Sequence, residues 1–135
     1  MLERKSNVLP IAGQDDVVRV RQAVRAQATE IGLSLIDQTK IVTAASEIAR
    51  NTLEYGGGGT ATIEVVRRND TRPGIRVVFE DHGPGIADIE RALSDGFTTG
   101  NGLGLGLGGA RRLSSEFEIY SELGKGTRIS ITRWK

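Results

Sequence analysis

The chain has 135 residues, of which 38% are hydrophobic and 26% are charged. This composition is typical of a globular protein and excludes a disordered chain. The length fits one domain, which we expect to span residues 1–135. Its formal net charge is only +1, which argues against bulk electrostatic binding to nucleic acid or to a membrane surface. The chain has few aromatic side chains that could stack on bases: one tryptophan, two tyrosines and three phenylalanines. It has no cysteine, which excludes disulfides and thiolate metal sites.

The first predicted element is a short strand. Residues 6–11, "SNVLPI", form an apolar run that fits the edge of a sheet, where proline is tolerated. A helix capped by Asp15 or Asp16 follows and runs to about Ile31. Its apolar stripe consists of Val17, Val20, Val24 and Ala28. The N-terminal residues do not resemble a secretory leader and no apolar stretch is long enough to cross a membrane, so we expect a cytoplasmic protein.

A second, longer helix follows. Ser34, with Asp37 three residues on, resembles a capping box and predicts the start of this helix. Its apolar stripe consists of Ile41, Ala44, Ala45, Ile48 and Thr52. The helix is expected to reach about Tyr55, because four glycines at 56–59 stop it.

The hydrophobic period changes to two in the second half of the chain. This predicts strands at 60–68 ("TATIEVVRR") and 74–81 ("GIRVVFED"). A short helix after Gly85, a helix at 108–115 and a closing hairpin of strands at 116–122 and 127–134 complete the prediction. Paired strands with helices between them predict an α+β fold, a two-layer sandwich in which a mostly antiparallel sheet carries helices on one face.

Glu47 and Asn51 are the first candidates for a chemical role. They are four residues apart on the second helix, so their side chains share a face at the border of the apolar stripe. A carboxylate beside an amide supplies a general base and an oxygen ligand for Mg²⁺. The alternative is an ordinary polar flank of the helix.

Asp81 is the second candidate. It ends an apolar row, Ile75, Val77 and Phe79, on one face of its predicted strand. A buried carboxylate needs a hydrogen-bond donor, and the exocyclic amine of adenine is a suitable one. Gly83 and Gly85 would let the backbone pass close to such a ligand. The alternative is a plain turn or a helix cap.

The third candidate is the segment "GNGLGLGLGG" at 100–109. It contains the pattern G-x-G-x-x-G, yet no strand precedes it and too few residues follow it for a dinucleotide-binding fold. With that fold excluded, we interpret the segment as a glycine loop that leads into a helix N-terminus, where backbone N–H groups favour the binding of phosphate. Arg111 and Arg112 either meet such phosphates or belong to the solvated face of that helix.

In this order, the motifs resemble those of the GHKL ATPase superfamily of gyrase, Hsp90 and histidine-kinase catalytic domains. "EIARN" at 47–51 resembles its N box, "EDHGPGI" at 80–86 its D-x-G-x-G box, "GLGLGL" at 102–107 its second glycine box and "GKGT" at 124–127 its last box. Within the superfamily, the chain is most similar to the small anti-sigma-factor serine/threonine kinases, and among these to the RsbT-type switch kinase of the stressosome. The resemblance covers nearly the whole chain.

The resemblance implies a role for each matching position. Glu47 would be the general base, Asn51 the Mg²⁺ ligand and Asp81 the reader of the adenine amine, with Thr127 nearby through water. The residues implied to bind the nucleotide are Asn51, Asp81, Gly83, Gly85, Ile86, Gly100, Gly102, Leu103, Gly104, Leu105, Gly106, Leu107, Gly108 and Thr127. Of these, the segment from Gly100 to Gly108 would cover the phosphates.

The resemblance also implies an activity. It is that of an ATP- and Mg²⁺-dependent serine/threonine protein kinase that phosphorylates a STAS-domain partner in a stressosome-like complex and acts as a partner switch in stress or sigma-factor regulation. Release from that partner would let the kinase bind and activate a downstream phosphatase. Two alternatives stay open: a kinase that binds a sigma factor directly, and a non-catalytic binding switch whose conformation depends on nucleotide.

Overall fold

The fold is described by a computed structural model for residues 6–69, 71–94 and 106–135. The strands in these ranges are β1 (Ser6–Ile11), β2 (Gly59–Arg68), β3 (Arg72–Asp81), β4 (Glu116–Glu122) and β5 (Gly126–Trp134). The helices are α1 (Gln14–Glu30), α2 (Leu35–Glu54), α3 (Ile89–Ala92) and α4 (Gly106–Arg112).

The strands form a five-stranded sheet in the order β1-β2-β3-β5-β4. Each neighbouring pair is antiparallel. Asp81 at the end of the central strand β3 lies opposite Gly59 on β2 and opposite Thr127 on β5. The predicted α+β fold is confirmed, and its sheet brings Thr127 beside Asp81.

The hydrophobic core lies between the sheet and the helices α1 and α2. The predicted stripe of α1, Val17, Val20, Val24 and Ala28, is buried, as is that of α2, Ile41, Ala44, Ala45, Ile48 and Thr52. The sheet contributes buried side chains that include Ile63, Ile75, Val77, Phe79 and Ile131. None of the helices in the described ranges is long and apolar enough to span a bilayer.

The helix starts follow two different capping schemes. Ser34 caps α2 as predicted, and its Oγ accepts a hydrogen bond from the N–H of Asp37 at 3.1 Å. The prediction that Asp15 or Asp16 caps α1 is wrong, because the N-cap is Gly13. The carboxylate of Asp16 acts from inside the first turn instead, where Oδ2 accepts from the N–H groups of Ala12 at 2.8 Å and of Gly13 at 3.1 Å.

The last helix is displaced from its predicted position at 108–115. It begins at Gly106 and ends at Arg112. It cannot continue to residue 115, because the N–H of Ser115 already donates to the carbonyl of Thr132 on β5 at 2.8 Å. The backbone therefore pairs with the sheet at Ser115, inside the range that the sequence pattern predicted to be helical.

Candidate functional site

Helix α2 presents Glu47 and Asn51 on one half-buried face. The Asn51 Nδ2 group donates to the backbone carbonyl of Glu47 at 3.2 Å. This bond engages the donor end of the amide within the helix, so the oxygen is the end of the amide that suits a cation. The side chains therefore offer the carboxylate and the amide oxygen expected of them on adjacent turns.

The Glu47 side chain is 13% exposed, and its carboxylate accepts a hydrogen bond at each oxygen. Its Oε1 accepts from Arg50 Nη1 at 3.0 Å. Its Oε2 accepts from the backbone N–H of Gly106 at 3.2 Å. The carboxylate thus lies where α2 meets the start of α4, 59 residues further along the chain.

Asp81 lies in a notch that glycines leave open. Its Oδ1 accepts from the N–H of Gly83 at 2.9 Å, which closes a tight turn after β3. A Cβ on Gly56 would lie 2.4 Å from Asp81 Cγ, and a Cβ on Gly83 would lie 2.7 Å from Gly56 Cα. Gly126, at a φ of +121°, passes so close that its Cβ would lie 2.0 Å from the Asp81 carbonyl oxygen. Glycine at these positions lets the ends of α2 and β3 and the start of β5 pack closely around Asp81.

A hydroxyl network joins Thr127 to the turn after β3. Ser121 Oγ accepts from the N–H of Ile86 at 2.8 Å, donates to the carbonyl of Gly126 at 3.2 Å and lies 2.8 Å from Thr127 Oγ1. Either hydroxyl can be the donor in the contact between Ser121 and Thr127. In both cases the Thr127 oxygen keeps at least one lone pair for a further donor such as a water.

These elements enclose a cavity of about 400 Å³. A volume of this size is within the usual range of small-molecule sites. The cavity is lined by Asn51, Thr52, Tyr55, Gly56, Asp81, Pro84, Gly85, Ile86, Asp88, Arg91, Ala92, Gly106, Leu107, Thr127 and Ile129. The helix α2, the end of β3, the start of α4 and β5 therefore meet at one concave site.

The structure gathers about half of the residues that the sequence proposed for nucleotide binding. Asn51, Asp81, Gly85, Ile86, Gly106, Leu107 and Thr127 line the cavity. Two further candidates are described but do not line the cavity: Gly83 donates to Asp81, and Gly108 packs so close to the end of α3 that its Cβ would lie 2.3 Å from the Leu93 carbonyl oxygen. The candidate base Glu47 does not line it either, but accepts from Gly106, which does. Gly100, Gly102, Leu103, Gly104 and Leu105 lie outside the described residues.

Sequence reasoning missed several residues of the wall. They are Thr52, Tyr55, Gly56, Pro84, Asp88, Arg91, Ala92 and Ile129. Spacing could have found two of them, because Tyr55 is one helical turn after Asn51 and Ile129 is on the same strand face as Thr127. No local signal marks Arg91, whose place depends on tertiary packing. Arg111 and Arg112 are exposed and are not among the described lining residues, which favours the solvated-face interpretation.

The donor set of the site suits a cation that binds mainly through a nucleotide. Within the ranges 6–69, 71–94 and 106–135, no cluster of three or more histidine, cysteine, aspartate or glutamate residues could hold a metal by itself. Mg²⁺ commonly binds through one or two protein oxygens together with substrate phosphates and waters. The Asn51 amide oxygen fits that pattern.

The sequence matches a known family and curated relatives. Residues 36–135 match the family described as histidine kinase-, DNA gyrase B- and HSP90-like ATPase. The Bacillus subtilis (strain 168) serine/threonine-protein kinase RsbT is 44% identical over 119 residues, covering 88% of this chain and 89% of that protein. The anti-sigma F factor of Thermoanaerobacter sp. (strain X514) is 29% identical over 117 residues, covering 84% of this chain and 82% of that protein. The resemblance predicted from the four motifs is confirmed.

Solved structures share the fold. The RsbU and RsbW domains of a Mycobacterium tuberculosis protein superpose with a TM-score of 0.65 at 23% identity, covering 99% of this chain and 33% of that one. The histidine kinase domain of an Erythrobacter litoralis blue-light-activated kinase superposes with a TM-score of 0.53 at 17% identity, covering 92% of this chain and 60% of that one. This chain therefore spans a third of the first solved chain and three fifths of the second.

Proposed function

Because the chain belongs to the histidine kinase-, DNA gyrase B- and HSP90-like ATPase family, binds ATP and is a serine/threonine-protein kinase, we propose that it transfers the γ-phosphoryl group of ATP to a serine of a STAS-domain partner. The observation that carries this proposal is the cavity that brings Asn51, Asp81 and Thr127 together, with Glu47 bonded to Gly106 of its wall. A base, a metal ligand and an adenine reader then surround one nucleotide-sized space.

Asp81 is proposed to select adenine. Its Oδ1 is engaged by Gly83, and a carboxylate has further lone pairs that can accept from the exocyclic amine of the base. Guanine presents a carbonyl at that position, so two acceptors would face each other. Thr127, whose oxygen keeps at least one lone pair, would accept from a water between it and the base.

Glu47 is proposed to be the general base. As the serine hydroxyl oxygen attacks the γ-phosphorus, its proton passes to the Glu47 carboxylate, the bond from the γ-phosphorus to the bridging oxygen breaks, and ADP leaves. The hydrogen bonds from Arg50 and Gly106 occupy one lone pair on each oxygen and leave others for the hydroxyl proton. They also restrain the carboxylate, so less order is lost when the partner binds.

Asn51 is proposed to hold Mg²⁺ through its amide oxygen. The bound ion would neutralise charge on the phosphates during transfer. In phosphoryl transfer, most of the rate enhancement comes from such positioning and charge stabilisation. One base, one metal ligand and a set of phosphate contacts are therefore enough for catalysis.

The proposed cellular role is a partner switch in stress or sigma-factor regulation. The kinase would act in the cytoplasm, bind a STAS-domain protein of a stressosome-like complex, phosphorylate it, leave it, and then activate a phosphatase by binding. A second candidate, direct binding of a sigma factor, is favoured by the similarity to an anti-sigma F factor. The presence of both Glu47 and Asn51 beside the cavity favours an enzyme over a non-catalytic switch.

The test is single-turnover transfer from labelled ATP to the protein that co-purifies with this chain from its source cell. Mapping of the labelled residue should identify a serine of a STAS-domain protein. A chain that binds ATP but labels no co-purifying protein would favour the non-catalytic switch. Recovery of a sigma factor, with no STAS-domain protein, would favour the second candidate.

A further inference from the structure

Arg91 is the single cationic side chain among the described residues that line the cavity. The same wall carries the carboxylates of Asp81 and Asp88. A nucleotide triphosphate is a polyanion, and its binding beside two carboxylates requires a compensating positive group. Within the described part of the wall, the guanidinium of Arg91 is the one side chain that supplies such a charge.

The backbone of Arg91 is held firmly although its side chain is exposed. Its N–H donates to Asp88 Oδ1 at 3.0 Å, and its carbonyl accepts from Ser94 Oγ at 2.6 Å. These bonds fix the short helix α3 at both ends. The long side chain lies at the exposed rim of the cavity, a place from which a guanidinium can contact both solvent and a bound ligand.

The packing of α3 places Arg91 beside the start of α4. The carbonyl of Leu93, two residues after Arg91, lies against Gly108, where a Cβ would be only 2.3 Å away. Gly106, two residues earlier on α4, lines the cavity and bonds to Glu47. Arg91 therefore projects from an element that packs on the same helix as the proposed catalytic contact.

We propose that the Arg91 guanidinium binds the phosphate chain of the nucleotide. The proposal rests on the function proposed above, in which ATP occupies this cavity with its base at Asp81. A guanidinium offers a planar fork of donors that matches two phosphate oxygens at once, and the resulting bonds are charge-assisted. Arg91 is thus a binding residue for the triphosphate, and Asp88 holds the helix from which it extends.

The test measures the dissociation constants of ATP, ADP and adenosine for the unmodified chain and for three variants. Arg91→Ala should weaken ATP and ADP binding by about tenfold or more, whereas adenosine affinity should stay within about twofold, because adenosine has no phosphate. Arg91→Lys, which keeps the charge but not the fork, should recover part of the loss. Arg111→Ala is the matched control, because it removes an exposed cation of α4 that is outside the cavity lining. Retained adenosine affinity in Arg91→Ala also shows that the variant is folded.

Several results would overturn the inference. Equal losses for ATP and adenosine would place Arg91 against the nucleoside, for example stacked on the base, or in a purely structural role. Equal losses in Arg91→Ala and Arg111→Ala would mean that net charge, not a contact, is responsible. Unchanged ATP affinity in Arg91→Ala would overturn this inference alone, whereas failure of the unmodified chain to bind ATP would overturn the proposed function with it.

Discussion

Glu47 Oε2 and the backbone nitrogen of Gly106 are joined by a hydrogen bond of 3.2 Å. This bond connects the proposed base on α2 with the second glycine box. Backbone N–H groups of glycine segments are also the donors that bind phosphates. A phosphate oxygen near Gly106 would compete with Glu47 for the same N–H, so nucleotide binding and the freedom of the base are expected to be linked.

Glu47→Gln should slow phosphoryl transfer by roughly 10²–10⁴-fold, the usual contribution of a positioned base. ATP affinity should change little, because Glu47 is not among the described residues that line the cavity and the Gln side chain keeps an oxygen that can accept from the N–H of Gly106. Single-turnover transfer to the partner and an ATP titration measure the two effects. Glu54→Gln, an exposed change on the same helix, is the control. Transfer by Glu47→Gln at the unmodified rate would contradict the role of the base.

Asn51→Ala should weaken ATP binding in the presence of Mg²⁺ and slow transfer as well. The physical reason is that the change removes a metal ligand, whose oxygen no other described lining amide replaces. Calorimetric titrations of ATP with and without Mg²⁺ measure the effect, which we expect to be about tenfold with the metal and small without it. A loss of the same size in both titrations would instead indicate a direct contact with the nucleotide.

Asp81→Asn should reduce the preference for ADP over GDP. Hydrogen bonds to charged groups contribute about 1.5–3 kcal/mol, so the ratio of the two dissociation constants should fall by at least about tenfold. Glu80→Gln is the matched control, because Glu80 is the adjacent residue on the opposite, exposed face of β3 and pairs with Arg128. Equal affinities for ADP and GDP in the unmodified chain would remove the adenine-reading role.

The ion pair between Asp37 and Arg133 should make stability depend on pH. Arg133 Nη2 lies 2.8 Å from Asp37 Oδ1, and this hydrogen bond is the main cause that lowers the pKa of Asp37 below 3.8, with desolvation opposing it. Because the pKa is lowered in the folded state, the pair stabilises the fold above the unfolded pKa, and this stability is lost as pH falls through the folded pKa. Asp37→Asn should therefore lower the free energy of unfolding by about 1 kcal/mol near neutral pH and have no effect well below the folded pKa. Urea denaturation at both pH values checks this, and a difference that persists in acid would contradict it.

Gly126→Ala should destabilise the fold and weaken ADP binding together. Its φ of +121° disfavours a side chain, and the new Cβ would lie 2.0 Å from the Asp81 carbonyl oxygen. Gly124→Ala separates the two causes, because its φ is +78° but nothing lies within 4 Å of its Cβ. We expect a loss of about 1 kcal/mol in the control from backbone strain alone, and more in Gly126→Ala. Thermal denaturation and ADP titration of both variants measure this, and equal losses would show that the close approach to Asp81 has no effect.

The sequence predicted what depends on local periodicity. The stripe that includes Val20 and Val24, and the row that ends at Asp81, follow from the geometry of one helix and one strand. The cap of α1 was missed because Asp16 bonds backward from inside the helix. The position of Arg91 could not be predicted, because it depends on how α3 packs on α4, and no pattern within a single element records that contact.

The register of β3 and β5, in which Asp81 lies opposite Thr127, limits where the length of this chain can change. The turn 123–125 directly precedes Gly126 and Thr127, and its Gly124 N–H donates to the carbonyl of Pro84 in the cavity wall at 2.9 Å. Side chains alternate between the faces of a strand, so an inserted residue that moves β5 by one position would turn the Thr127 hydroxyl out of the site. The far end of the β2–β3 hairpin, beyond the pair Arg68 and Arg72, is at the opposite end of β3 from Asp81, so a longer loop there does not contact the site. Loops grafted onto this protein, and insertions that arise in its descendants, should therefore accumulate at the far hairpin and be absent from 123–125.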